Sequence, residues 1–269
     1  MRNVILFFSH SKIMRLSWIL FILSLLTVSA LTAQDIDAKD VILYSKQRTL
    51  GATLSSQGFG VGTYLSKFRG AYKLWQLNCD MNFVKHEKET KSWNSVIQDP
   101  NARPYFYGKL NNFYTLRLGV GIKKIITEKL RKSGVQVSWQ WSVGPVLGVL
   151  KPIYLEIIKE DPFRQPYIEV ERSDIKYSIS DIYGRASSLQ GIDQLSALPG
   201  AFAKLSFSFE YSNEREGLKG IEVGACSDIF SKKVPIMALS KNAENNPRNH
   251  QLFVSLFVNF FFGTKYDQK

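Results

Sequence analysis

Several stretches of the chain alternate between apolar and polar side chains with a period of two, the mark of strands that show one face to an apolar surrounding. In 71–84, Trp75, Leu77, Cys79, Met81 and Phe83 oppose Gln76, Asn78, Asp80 and Asn82. In 106–123, Phe106, Leu110, Tyr114, Leu116, Leu118, Val120 and Ile122 oppose Lys109, Asn111, Thr115, Arg117 and Lys123, and only Asn112 breaks the apolar file. In 135–149, Val135, Val137, Trp139, Trp141, Val143, Leu147 and Val149 oppose Gln, Ser and Gly. The pattern recurs in 201–211, with Leu205, Phe207 and Phe209 against Lys204, Ser206 and Glu210. It recurs again in 219–229, with Ile221 and Val223 against Glu222 and Asp228, and in 252–262, with Leu256 and Phe260 against Ser255 and Asn259.

The polar faces decide what the apolar faces meet. A soluble sandwich turns its apolar face inward and leaves solvated Lys and Glu outside. Here the polar faces are mostly small or amide side chains with a few charges of both signs, which suits a crowded lumen. The pattern therefore predicts an all-β, antiparallel up-and-down transmembrane barrel. Connection lengths agree: short at 66–70, long at 87–104, medium at 124–133, very long at 151–199, short at 212–217 and long at 231–250. Outer-membrane barrels have short periplasmic turns and longer extracellular loops. Placing the long connections outside requires an upward strand before 66–70. Leu50, Ala52 and Leu54 supply it in even phase, and Phe59, Val61 and Leu65 follow in odd phase. A hairpin at the Gln57-Gly58 phase break makes eight strands. Tyr154–Ile158 and Tyr167–Glu171 could form an extra hairpin, taken here as rising above the membrane; a ten-stranded barrel is the alternative. Pro145 interrupts one apolar file and cannot donate a ladder hydrogen bond; counting from Gly134 places it near the outer rim, where a bulge is tolerable, and it counts against this register.

Composition adds compartment and excludes several classes. Residues 1–33 carry the most hydrophobic run and no Asp or Glu, with Arg15 before Leu16–Val28 and small residues Ala30 and Ala33 beyond. That is a secretory signal, cleaved after Ala33 or Ala30, which leaves 34–269 as a single barrel domain in the outer membrane. Loss of Arg2, Lys12 and Arg15 leaves 32 basic against 23 acidic residues. Mean hydropathy of −0.12 excludes a polytopic helical membrane protein, and two cysteines exclude a disulfide scaffold or a Cys-rich zinc module. Cys79 faces lipid and Cys226 the lumen in this register, so they do not pair.

The runs 101–111 (NARPYFYGKLN), 143–157 (VGPVLGVLKPIYLEI), 181–186 (DIYGRA), 223–238 (VGACSDIFSKKVPIMA) and 252–266 (LFVSLFVNFFFGTKY) resemble a Bacteroidetes-type family of outer-membrane β-barrel proteins. The resemblance covers roughly residues 46–266 and implies export and a single barrel. It transfers no catalytic residue and no activity.

Candidate chemistry is sparse. His86 and His250 fall at the outer ends of strands, and no spacing ties Asp99, Asp181 or Ser240 to either, so no catalytic residue is assigned. Neither a metal nor a cofactor is expected. Gly58-Phe59-Gly60-Val61-Gly62 lacks the strand–turn–helix setting of a phosphate loop. Lys123, Lys124, Lys129, Arg131 and Lys132 surround the single acid Glu128; at a periplasmic turn they are solvated, or they touch lipid phosphates or a periplasmic partner. Asp80, Lys109, Arg117, Lys204, Glu210, Glu222 and Asp228 are expected to form a charge network that plugs the lumen. In the 151–199 loop, Tyr154, Phe163, Arg164, Tyr167, Arg172, Tyr177, Tyr183 and Arg185 are the candidate contact residues, because Tyr and Arg anchor binding surfaces. The function expected is that of a non-enzymatic outer-membrane barrel whose long loops dock a partner or surface ligand. The alternative is a hydrolase acting on lipid or peptide at the rim. Expected partners are the lipid bilayer and lipopolysaccharide and an outer-membrane or periplasmic protein. Nucleic acid does not fit an exported protein.

Overall fold

The computed structural model describes residues 45–94, 99, 102–128, 134–174, 176–212, 217–238 and 249–266. The signal segment expected over 1–33 lies outside the described residues. In chain order the strands are β1 (Lys46–Ser55), β2 (Gly58–Phe68), β3 (Lys73–Val84), β4 (Lys91–Ser92), β5 (Tyr105–Phe106), β6 (Asn111–Thr127) and β7 (Gln136–Pro152). There follow β8 (Tyr154–Glu160), β9 (Pro166–Arg172), β10 (Ile182–Arg185), β11 (Ser196–Glu210), β12 (Gly217–Phe230) and β13 (Leu252–Tyr266).

Eight of these close an antiparallel barrel in the order β1-β13-β12-β11-β7-β6-β3-β2. The phase break resolves as a hairpin: Ser55 pairs with Gly58 across a two-residue turn, and the ladder runs on to Lys46 opposite Lys67. Closure comes from β1 against β13, from Lys46 opposite Tyr266 to Ser55 opposite Phe257. The hairpin at Tyr154 is real but does not join the wall. β8 pairs with β9, and β10 completes a separate three-stranded sheet, so the ten-stranded alternative falls. The excursion between wall strands is also shorter than 151–199, because β7 reaches Pro152 and β11 starts at Ser196.

Alternation sorts side chains by face. Every wall strand contributes exposed large apolar residues to the outer surface, among them Leu54, Val61, Met81, Leu118, Val143, Leu205, Val223 and Leu256. An apolar belt that encircles a closed barrel is the surface such a barrel shows to lipid. The inward files are buried and mix polar groups with rings: Gln76, Asn78, Asp80, Ser206 and Asn259 beside Phe202, Phe253, Phe257 and Phe261.

Pro145 corrects one expectation. It sits mid-strand and outward-facing, pairs with Ala201 on the β11 side, and lies in the part of β7 where the ladder to β6 lapses between Arg117↔Val146 and Val120↔Val143. The missing N–H thus faces β6, register is kept on both sides of the gap, and no bulge forms there. The irregularity in that pair lies instead at Ile125/Thr127, near the opposite end.

Gly119 faces the lumen on β6, and a Cβ there would stand 2.5 Å from both the Phe202 ring and the Asn78 amide oxygen. Gly119→Val should overpack the lumen and lower stability by about 1–3 kcal/mol. The wild-type chain should migrate faster on a gel unboiled than boiled, and the variant should lose the fast band at a lower temperature. Identical melting of the two bands would show that the lumen is not packed as described.

Candidate functional site

Four wall strands, β3, β6, β11 and β12, aim charge at one place in the lumen. Arg117 on β6 donates through Nε and Nη2 to the two carboxylate oxygens of Asp228 on β12, at 2.7 and 2.5 Å. Lys204 on β11 donates to the Tyr64 hydroxyl at 2.6 Å and lies 3.1 Å from Glu222 and 3.9 Å from Asp80. Its ammonium also sits 4.4 Å from the centroid of the Phe257 ring. Glu222 accepts from Ser206 at 2.7 Å and from Asn259 at 2.9 Å, and Asp80 accepts from Asn78 at 3.2 Å. Buried ions are costly unless their remaining donors and acceptors are also used; Ser206, Asn259 and Tyr64 do that for Glu222 and Lys204, whereas one carboxylate oxygen of Asp80 is buried without a hydrogen-bond partner. Gly62, opposite Asp80 in the ladder, leaves the room that this carboxylate fills; a Cβ would collide with it.

Of the seven charges expected in the lumen, Asp80, Arg117, Lys204, Glu222 and Asp228 come together. The other two do not join them. Glu210 pairs with Lys265 at 2.9 Å. Lys109 precedes β6 rather than lying on it, and its ammonium is buried against Glu89 at 2.7 Å between the Phe83 and Phe106 rings. Burial lowers the Lys109 pKa, and the bond to Glu89 opposes that shift. Asn259 could be found from its place on an inward file. Lys265, Tyr64 and Glu89 carried no comparable signal.

Nearer the long loops the lumen turns apolar. Phe113, Phe230 and Phe253 meet with ring centroids 5.3–5.9 Å apart, and Val234, Ile236 and Met237 close over them from the loop after β12. Asn249 fastens that loop, accepting from the Ile236 and Met237 amides and donating to the Met237 carbonyl. Cavities beside the ionic cluster measure about 20 and 10 Å³, room for about one water at most in each. No pore fits there.

Above this plug stands a cap with its own small core of Tyr105, Ile153, Leu155, Ile157 and Ile182. Asn94 donates to the carbonyls of Ser180 and Ile182 at 3.0 and 2.8 Å, and Tyr183 donates to Asp99 at 2.6 Å. That bond to a carboxylate raises the Tyr183 pKa. The eight loop candidates therefore divide. Tyr154, Tyr177 and Tyr183 are half-buried braces of the cap, whereas Phe163, Arg164, Tyr167, Arg172 and Arg185 are exposed. The hairpin tip is held by Asp161, whose carboxylate accepts from the amides of Phe163 and Gln165, and this fixes Arg164 at φ 60. Phe163 is left 84% exposed. β9 is exposed along nearly its whole length and pairs only with β8. Its Ile168 and Val170 are exposed too, and a search for Tyr and Arg overlooks them. Lys159 on β8 ties the hairpin together, bonding Glu169 at 2.7 Å and also Glu171. The Lys159 hydrogen bond holds the Glu171 carboxyl below its ordinary pKa. This contribution is present at neutral pH and is lost as acid protonates Glu171; exposure keeps it small.

The histidines are less separate than their spacing suggests. His86 and His250 stack with centroids 6.4 Å apart, and His86 is buried rather than solvated. Its Nδ1 accepts from the Lys88 amide at 3.1 Å. Asp99 is engaged with Tyr183, Asp181 closes a short turn with Ser178 and Ser180, and Ser240 lies outside the described residues. The basic cluster after β6 also divides. Lys123 points inward over the Phe261 ring at 5.6 Å, Lys124 is exposed, and Lys129, Arg131 and Lys132 lie outside the described residues.

No protein-family model matches the chain, and no curated protein matches it. Among solved structures, Neisserial surface protein A (NspA) aligns at 7% identity and a TM-score of 0.38, covering 83% of this chain and 97% of its own. Ail, the attachment invasion locus protein of Yersinia pestis, aligns at 7% identity and 0.38, covering 84% and 100%, in its complex with the heparin analogue sucrose octasulfate. The Bacteroidetes-type resemblance gains no family match.

Removing one member of a buried ion pair costs about 3–5 kcal/mol, because the other charge is stranded. Arg117→Ala should therefore destabilise the barrel by that order in urea unfolding from lipid vesicles. The double variant Arg117→Met with Asp228→Leu should recover most of the loss. If the double variant is as unstable as the single one, the pair is not the buried unit described.

Proposed function

We propose that the chain is an exported, integral outer-membrane barrel that performs no catalysis and serves as a rigid mount for a docking cap. The segment 1–33 acts as the signal peptide. Both ends of the barrel wall then lie on the periplasmic side, and the long loops face outward, as is usual for such barrels. The five converging lumen charges and the apolar plug above them seal the interior. Membership of the Bacteroidetes-type family belongs to this proposal and rests only on the resembling sequence runs.

One observation carries the docking role. The β8–β9 hairpin is anchored at its base by a packed core, yet β9 presents a free edge, two exposed faces and a fixed aromatic tip. An exposed apolar edge strand invites pairing, and proteins usually blunt such edges. Leaving it open suits recognition of a partner by strand addition or by its side chains. Phe163, Tyr167, Ile168, Val170 and Arg172 form the contact, and Tyr154, Tyr177 and Tyr183 hold it in place. The ligand is an outer-membrane or surface molecule.

A second reading, hydrolysis at the rim, has the stacked His86–His250 pair in its favour. Loss of a hydrolytic activity in His86→Ala/His250→Ala would be its support.

Purification from the native outer membrane in mild detergent tests the docking role. Phe163→Ala combined with Tyr167→Ala and Ile168→Ser should keep the fast-migrating barrel and lose the co-purifying partner. If the partner stays with this variant, the binding surface lies elsewhere.

A further inference from the structure

The end of the barrel opposite the cap carries a second unexplained surface. Lys46 and Arg48 on β1, Lys67 on β2, Arg69 in the following turn, Lys73 on β3 and Lys124 on β6 all point away from the lumen, since their neighbours Gln47, Ser66, Leu74 and Lys123 are the buried ones. The four strands are consecutive in the wall, so the cations form one outward-facing patch. Register sharpens the point. Lys46 lies directly opposite Lys67, and Lys73 directly opposite Lys124. Like charges at facing positions destabilise a sheet, and among the described residues no ion pair joins any of these six cations to a carboxylate. An anion from outside the wall would relieve that repulsion.

The surroundings say what it is. Beside Lys46, Arg48 and Lys67 lies an open groove of about 390 Å³ floored by Leu65, Leu77 and Val120, whose side chains belong to the exposed apolar belt. Two guanidinium groups are held at the patch by rings. Arg48 donates through Nε to the Tyr266 hydroxyl at 3.1 Å and lies 5.5 Å from its ring centroid. Arg69 lies 5.1 Å from the Trp75 centroid. Planar guanidinium forks fixed in this way suit phosphate oxygens, and aromatic residues at this height mark the level of lipid headgroups.

We propose that this face binds an anionic phospholipid of the periplasmic leaflet. Its phosphodiester sits among Arg48, Lys46 and Lys67, and its acyl chains run along Leu65, Leu77 and Val120. The headgroup relieves the repulsion between the facing lysines, so lipid binding and barrel stability are coupled. The site rests on the membrane placement proposed above and is separate from the docking cap.

The test uses the full mature chain refolded into detergent micelles, with lipid retention read by native mass spectrometry. The probes are dioleoyl phosphatidylglycerol, dioleoyl phosphatidylcholine and inorganic phosphate. Phosphatidylglycerol should be retained about tenfold or more over phosphatidylcholine, because several cations sit near its anionic headgroup, and phosphate alone should neither bind nor displace it. Arg48→Gln with Lys67→Gln should abolish the preference. If that variant fails to regain the fast-migrating band, Lys46→Gln with Lys73→Gln takes one member from each facing pair, leaves the Arg48–Tyr266 contact intact and should abolish the preference likewise. Equal retention of the two lipids, displacement by phosphate, or unchanged preference in a folded variant overturns the proposal. A chain that inserts into no lipid overturns the membrane placement itself, and this site with it.

Discussion

In hydrocarbon an N–H or C=O without a partner costs several kcal/mol, so a sheet that crosses a bilayer has to close on itself. Here the closing seam is β1 against β13, paired from Lys46↔Tyr266 to Ser55↔Phe257. Closure at eight strands leaves an interior only wide enough for side chains, and much else follows from that width. Inward positions must be small where strands crowd, as at Gly62 and Gly119, and must fill space elsewhere, as Phe202 and Phe257 do. Charges that enter must bring their counter-charges and hydrogen bonds with them.

The ionic cluster also protects the register. Sliding a strand by one residue would exchange its faces, sending Lys204 or Arg117 into lipid and leaving Glu222 or Asp228 stranded. A sheet whose inner face carries such charges tolerates one alignment. The rigidity passes upward, because Phe113, Phe230 and Phe253 stand between the charged layer and the loop residues Val234, Ile236 and Met237 that close the mouth. The cap above has its own core and hydrogen bonds, so an exposed strand such as β9 is presented without the base giving way. At the opposite end the wall carries like charges face to face, Lys46 against Lys67 and Lys73 against Lys124.

Much of the wall was legible because a strand shows its faces at a period of two. The phase break at Gln57-Gly58 located the first hairpin, and the Tyr154 and Tyr167 segments located the second. Mixed faces were harder. Phe202, Phe253, Phe257 and Phe261 lie on inward files, where hydrophobicity does not separate lumen from lipid, so the sequence reading underestimated the apolar fill. Alternation in the sequence continues through 106–110 and puts Lys109 on the inward file, although the wall begins at Asn111. The Lys109–Glu89 pair and the stacking of His86 on His250 join segments far apart in the chain, and no local pattern reports such contacts. For the cap, residue type suggests Tyr154, Tyr177 and Tyr183 as contacts, but Tyr177 packs against the cap core and the Tyr154 and Tyr183 hydroxyls are tied to Gln194 and Asp99. Pro145 counts against the register only while the neighbour that its missing donor faces is unknown; the register is kept across the gap.

The central claim is that the apolar faces of the wall meet lipid chains while the cap stands in water. Tryptophan quenching by chain-brominated phospholipids tests it most directly. Trp141 faces outward from the middle of the wall, and Trp93 is exposed in the loop segment between β3 and β6. In variants that keep only one tryptophan in the mature chain, bilayer bromines should strongly quench Trp141 and leave Trp93 unaffected. Unquenched Trp141, or equal quenching of both, would contradict the account.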